Sequence, residues 1–98
     1  MQEQVSIFIE KYNLRTDAQT RYIDLISEVG ELGKEFVKGT EYGKKEFVPT
    51  NSIVDELGDC LFSLLALCCE LNVDARDAMQ KAVIKYEQRF AAKGDIGS

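Results

Sequence analysis

The residues of this 98-residue chain best suited to chemistry are its acids, and their spacing is helical. Asp24, Glu28, Glu31 and Glu35 fall at i, i+4, i+7 and i+11, which strings them along one line of a helix. Glu56, Asp59, Ser63 and Glu70 form a second polar seam, running into a Cys60–Leu71 stretch that is otherwise almost wholly apolar. Like charges so spaced repel by about a few tenths of a kcal/mol per pair, and carboxylates are seldom buried unless paired or bound to metal. Two such seams on consecutive antiparallel helices could face each other and gather Glu28, Glu31, Glu56 and Asp59 around one space. An oxygen-only donor set suits hard cations such as Mg²⁺, with Mn²⁺ as a substitute, and Mg²⁺ commonly bridges protein carboxylates to substrate phosphates. Taken separately, either seam also reads as an ordinary solvated edge, the second less easily because its neighbours are apolar.

Other chemistries are excluded by composition. The chain has no His, which removes His-ligated zinc, Ser-His-Asp and Cys-His catalysis and the E-x-x-H pairs of di-iron bundles. No D-x-D-x-D-G loop exists for calcium. The three cysteines, Cys60, Cys68 and Cys69, include a vicinal pair and no C-x-x-C, and read as small buried hydrophobes in a reducing setting. Lys and Arg total 12 against 17 Asp and Glu, a net charge of −5 that argues against a partner made of nucleic-acid polymer. Within that acidic background Lys81, Lys85 and Arg89 fall at i, i+4 and i+8. Alone they read as an exposed face; beside a carboxylate–Mg²⁺ site they become a phosphate clamp, with Arg89 supplying the forked donor geometry.

The elements that must position these groups are helices. One proline, Pro49, and almost no alternation of polar and apolar residues predict an all-α chain, a single domain over 1–98. Helices are expected at about 2–12, 17–38, 52–72 and 75–92, with a frayed tail at 94–98. Thr16 or Asp17 can cap the second helix and Gly39 can end it; Ser52 and Asp55 have the form of a capping box for the third; Asp74 can cap the fourth. The third helix is apolar around most of its circumference, as a central helix packed from several sides would be. Three other short helices would not cover it fully, which predicts a homo-oligomeric bundle. The amino terminus has no basic n-region, and the longest apolar stretch is shorter than the ~20 residues that span a bilayer, so the expectation is a cytoplasmic protein without a membrane anchor.

Glu28-Val-Gly-Glu31-Leu followed by Asp55-Glu56-Leu-Gly-Asp59-Cys-Leu-Phe resembles the E-x-x-E…E-x-x-D signature of the MazG-like nucleoside triphosphate pyrophosphohydrolases. Lys81 to Phe90, KAVIKYEQRF, is similar to the closing K…K-Y-x-x-R-[FY] segment of that family. The resemblance extends from about Asp17 to Phe90. It implies an all-α homodimer or homotetramer with Mg²⁺ held by Glu28, Glu31, Glu56 and Asp59. It also implies cleavage of a nucleoside triphosphate between the α and β phosphorus, yielding a monophosphate and pyrophosphate. Water would attack in line at the α-phosphorus while Mg²⁺ neutralises the phosphates. One of the four carboxylates, with Glu31 preferred, or the neighbouring Asp55 would accept the proton, and Lys85 and Arg89 with Lys81 would hold the leaving pyrophosphate. Relatives that select one base stack it on aromatic side chains, often Trp, and bond it through His or Asn. This chain lacks both Trp and His, leaving Tyr12, Phe8, Tyr42 and Phe47 as stacking candidates and a permissive or housecleaning activity on non-canonical nucleotides as the expectation. The rival readings are a phosphoribosyl-ATP pyrophosphohydrolase of the same superfamily and a non-catalytic helical dimer or regulatory module.

Overall fold

A computed structural model describes residues 1–94 as four helices: α1 (Gln2–Lys11), α2 (Ala18–Gly39), α3 (Ile53–Glu70) and α4 (Ala75–Lys93). The fold is all-α, with no strand among the described residues. All but the first residue of the tail expected at 94–98 lies outside them. Helix starts follow local chemistry in two cases. The Asp17 side chain accepts from the Thr20 N–H at 2.7 Å to open α2, and Asp74 accepts from the Asp77 N–H at 3.1 Å to open α4.

Two expectations at the ends of the α2–α3 loop need correction. Ser52 makes no capping bond; its hydroxyl is turned across to α2 instead. Gly39 does not end α2 by adopting a left-handed conformation. It remains the last helical residue, and Glu41 takes the left-handed position (φ 49°), with the Tyr42 N–H donating to the Val37 carbonyl and the Glu41 N–H to that of Lys38. What Gly39 permits is close approach: a Cβ there would lie 2.5 Å from the Phe47 ring and 2.7 Å from the Val48 carbonyl oxygen. The Asn13 and Asn72 turns close α1 and α3 with the same left-handed geometry, Leu14 N–H donating to Ile9 and Val73 N–H to Cys68.

α3 is the middle helix. α2 packs along it most extensively and α1 crosses its C-terminal half, where Val5, Ile9, Leu65 and Ala66 make the buried core with Phe62, Cys69 and Ala75 around them. α4 packs along no other helix and buries no residue, so Met79, Val83, Ile84 and Phe90 stand open to solvent, as do Leu57, Leu61 and Leu64 of α3. The radius of gyration, 16.7 Å, exceeds the roughly 13 Å of a compact chain of this length. The central helix expected to be packed from several sides is therefore covered on two, because the last helix swings clear.

Polar ties hold the ends of this sparse core. The Gln2 amide donates to the Val73 carbonyl at 2.8 Å and accepts from the Ala75 N–H at 2.7 Å, so α1 satisfies an orphan amide of α4. The buried Glu70 side chain, 3% exposed, accepts from the Thr16 N–H at 3.2 Å and from Arg15 at 3.3 Å, and its carboxylate lies 3.6 Å from the largely buried Arg21 Nε. Glu70 thus belongs to a latch between α3 and the α1–α2 linker. Burial alone would push its carboxyl up, but the Thr16 N–H and the Arg15 and Arg21 cations outweigh it and hold the carboxyl below the ordinary 4.5. Glu70→Gln should cost about 2 kcal/mol of stability at pH 7, leaving Arg21 underpaired. Because the folded value is depressed, that stability is complete above pH ~4.5 and lost as the pH falls through the folded value. Melting temperatures of variant and wild type should accordingly converge on acidification below pH 4.5.

Candidate metal centre

α2 and α3 run antiparallel, with Glu28 opposite the second turn of α3 and Glu35 opposite its start. One carboxylate oxygen from each of Glu28, Glu56 and Asp59 lies within 4.8 Å of the others. Glu28 and Glu56 are half-buried and Asp59 is exposed, so the trio sits at a rim open to solvent. Three of the four acids expected to converge are therefore together. Glu31 is not in the trio. Its side chain, 49% exposed, accepts from the Lys34 ammonium at 3.3 Å one turn further along α2.

The electrostatics follow from this crowding. Burial pushes the Glu56 carboxyl above its ordinary value, and Asp59, Glu31, Glu35 and Glu28, in that order, push it further. The Cys60 thiol is raised in the same way, first by burial and then by Glu28, Glu56 and Asp59. No cation faces these groups from α4. Lys85 and Arg89 flank the Tyr86 ring, at 4.9 Å and 5.9 Å from its centre, and Lys81 is exposed on the same helix. A single chain does not bring the basic seam to the acidic one, since α4 packs along neither α2 nor α3.

The donor set fits a hard divalent cation. All three groups offer carboxylate oxygens, and Mg²⁺ bonds at ~2.1 Å require neighbouring ligand oxygens roughly 3–4 Å apart, a spacing that small side-chain rotations reach from 4.8 Å. The remaining seam residues lie elsewhere: Asp24 is exposed further up α2, Ser63 is half-buried beyond Asp59 on α3, and Glu70 forms the latch. A Cβ at Gly30 or Gly58 would meet nothing within 4 Å among the described residues, so the space beside those glycines is open. Of the stacking candidates, Phe47 lies flat on Phe36 (centroids 4.8 Å, 21°) and Phe8 packs on Tyr12 and edge-on to Phe62. Tyr12 and Tyr42 are the more exposed pair.

The residue that sequence reasoning left without a role is Glu35. It is buried, 3% exposed, and it accepts from the Thr50 hydroxyl at 2.8 Å and the Ser52 hydroxyl at 2.6 Å. These bonds, Ser52 first, hold its carboxyl below the ordinary value against the opposing effect of burial. The available signal was an acid one heptad after Glu28 and two hydroxyls just ahead of the helix that carries Glu56.

Antiparallel helices presenting acids across a shared groove define an all-α domain with the makings of a divalent-metal site. Residues 16–91 match the family model of the MazG nucleotide pyrophosphohydrolase domain, and the chain belongs to that family. α1 precedes the matched residues. No curated protein and no solved structure matches the chain significantly.

The raised proton affinity of Glu56 has a consequence for stability without metal. A carboxyl whose folded value is raised costs stability fully above that value and nothing below its ordinary value. Metal-free Glu56→Gln should therefore melt at or above the wild-type temperature at pH 7, and the difference should disappear near pH 4. Calorimetry in EDTA at the two pH values checks this.

Proposed function

We propose that the protein is a Mg²⁺-dependent nucleoside triphosphate pyrophosphohydrolase, converting a (d)NTP and water to a (d)NMP and pyrophosphate. The observation that carries this reading is the convergence of Glu28, Glu56 and Asp59 inside the residues that match the family. Those three, with Glu31 from the adjoining turn, hold the metal, and Mn²⁺ can substitute. Bound Mg²⁺ supplies positive charge to a site that would otherwise repel a polyphosphate, and it polarises the oxygens it meets. Glu31, outside the trio and reachable by solvent, takes the proton of the attacking water.

Lys81, Lys85 and Arg89 hold the departing pyrophosphate, and they do so across subunits. The uncovered apolar side chains of α4 and of the α3 face support a homodimer or homotetramer in which one copy's α4 lies over another's α2–α3 groove. Opposite charges on the two surfaces favour that docking. The absence of Trp and His supports a permissive base site, as a housecleaning enzyme for non-canonical nucleotides would have. Three free cysteines suit a reducing cytoplasm, and no helix among the described residues is long and apolar enough to cross a membrane.

The deciding experiment incubates the purified protein with canonical and modified (d)NTPs, in Mg²⁺ or in EDTA, and quantifies monophosphate and pyrophosphate. Pyrophosphate formed in equal amount with monophosphate, and abolished by EDTA or Glu56→Gln, is the expected result. Orthophosphate and diphosphate as products, or no product from any nucleotide, would sink the reading. For the clamp, Glu56→Gln and Arg89→Ala subunits, each inactive alone, should regain activity when mixed and refolded together. A mixture as inactive as its parts would return the clamp to the same chain as the acids, or remove it.

A further inference from the structure

Glu35 has no place among the groups assigned to the reaction, yet its surroundings are the most heavily invested polar site near the metal centre. Its carboxylate is almost fully removed from solvent and takes two short hydroxyl bonds from the last residues of the α2–α3 loop. Both are charge-assisted, which makes them stronger than neutral hydrogen bonds. Ser52 could instead have turned its oxygen to the orphan amides at the start of α3, a cap worth about 1 kcal/mol. It does not; α3 opens with no side-chain capping bond. A local stabilisation is forgone so that Ser52 can reach Glu35.

The register explains what is obtained in exchange. Glu28 to Glu35 on α2, and Ser52, the residue just before α3, to Asp59 on the antiparallel α3 are equal spans of seven residues. At 1.5 Å per residue each span covers ~10 Å. Pinning Ser52 to Glu35 therefore brings Asp59 level with Glu28, and Glu56, one turn nearer the pin, level with the residues between. A slip of α3 by one residue would rotate its side chains by ~100° and carry Glu56 and Asp59 away from Glu28. Packing leaves part of this register unfixed, because Leu57, Leu61 and Leu64 of α3 keep between 41% and 51% of their surface exposed in the chain. The loop is anchored a second time where Phe47 stacks on Phe36 and the Val48 N–H donates to the Gly39 carbonyl at 2.9 Å. That contact orients the loop but lies before Thr50 and sets no residue of α3 directly.

We propose that Glu35 is a positioning residue, which through Thr50 and Ser52 sets the register of α3 on α2 and so holds Glu56 and Asp59 opposite Glu28 at metal-binding separation. This rests on the reading of that trio as the metal site. Glu35 does not touch the metal or the nucleotide; it acts by placing the groups that do.

The test measures Mn²⁺ binding to the intact protein by electron paramagnetic resonance, with thermal stability followed in parallel. Three variants are compared: Glu35→Leu, Glu35→Gln, and the double substitution Thr50→Val with Ser52→Ala. Loss of a partner that orients metal ligands weakens metal binding by about 10- to 100-fold, and that is the effect expected for Glu35→Leu and for the double variant. Glu35→Gln keeps an acceptor for one hydroxyl and should lose less than tenfold. The Mg²⁺ concentration for half-maximal pyrophosphate release should rise in parallel, with kcat recovering at saturating Mg²⁺. Glu70→Gln, which weakens the distant latch, controls for loss of stability alone and should bind Mn²⁺ as the wild type does. If Glu35→Leu does not fold, Glu35→Gln and the double variant carry the comparison. Folded clasp variants that bind Mn²⁺ as tightly as the wild type, or a Glu70→Gln protein that loses as much affinity, would overturn the positioning role and leave the metal site standing. A wild type that binds no Mn²⁺ would overturn the metal site itself, and the positioning role with it.

Discussion

Mutual repulsion among carboxylates is the constraint around which α2 and α3 are arranged. Glu28, Glu56 and Asp59 converge within 4.8 Å, and Glu31 and Glu35 add to the negative field at Glu56. Among the described residues Lys34 meets Glu31 at the edge and Lys38 acts on Glu35 from a distance, but no cation pairs with Glu28, Glu56 or Asp59. The acids stay together because the apolar faces of the two helices pack and because Glu35 ties the far end of the groove. Stability is thereby lowered at one place, and the arrangement becomes favourable when positive charge enters. A site built in this way is selective for what neutralises it, in keeping with a family that acts on nucleotides.

The same chain is short of cover elsewhere. A domain under 100 residues buries a small share of its surface, and this one leaves α4 without a helix to lie against. Two deficits coincide on that helix: apolar side chains in solvent and cations with no acids opposite. The complementary deficits, open leucines and unpaired acids, occur on α3. Association of copies would answer both pairs with one interface, which is the physical basis for proposing an oligomeric enzyme.

The helices were legible in the sequence because capping residues and apolar periodicity are local properties. Asp17 and Asp74 act where their neighbours alone predict. Ser52 shows where such reasoning stops: its capping pattern is intact in the sequence, but a carboxylate 17 residues earlier competes for its hydroxyl and wins. Glu70 is similar, for the seam that groups it with Asp59 says nothing of Arg15, Thr16 and Arg21, which claim it from 49 to 55 residues away. Gly39 looks like a helix end by type, whereas its lack of a side chain is used by Phe47.

By itself the sequence determined that the chain is helical, where its helices begin and end to within a few residues, and that acids of oxygen-only donor chemistry recur at helical spacing. These follow from interactions within one or two turns. Only the tertiary structure decided which acids meet: Glu28, Glu56 and Asp59 in a cluster, Glu31 beside it on Lys34, Glu35 in a hydroxyl clasp and Glu70 in a distant latch. It also decided that α4 stands apart with Lys81, Lys85 and Arg89. The physical reason is that helical periodicity states which face a side chain occupies, while the angle and register between helices, set by packing and a few long-range hydrogen bonds, state what that face meets.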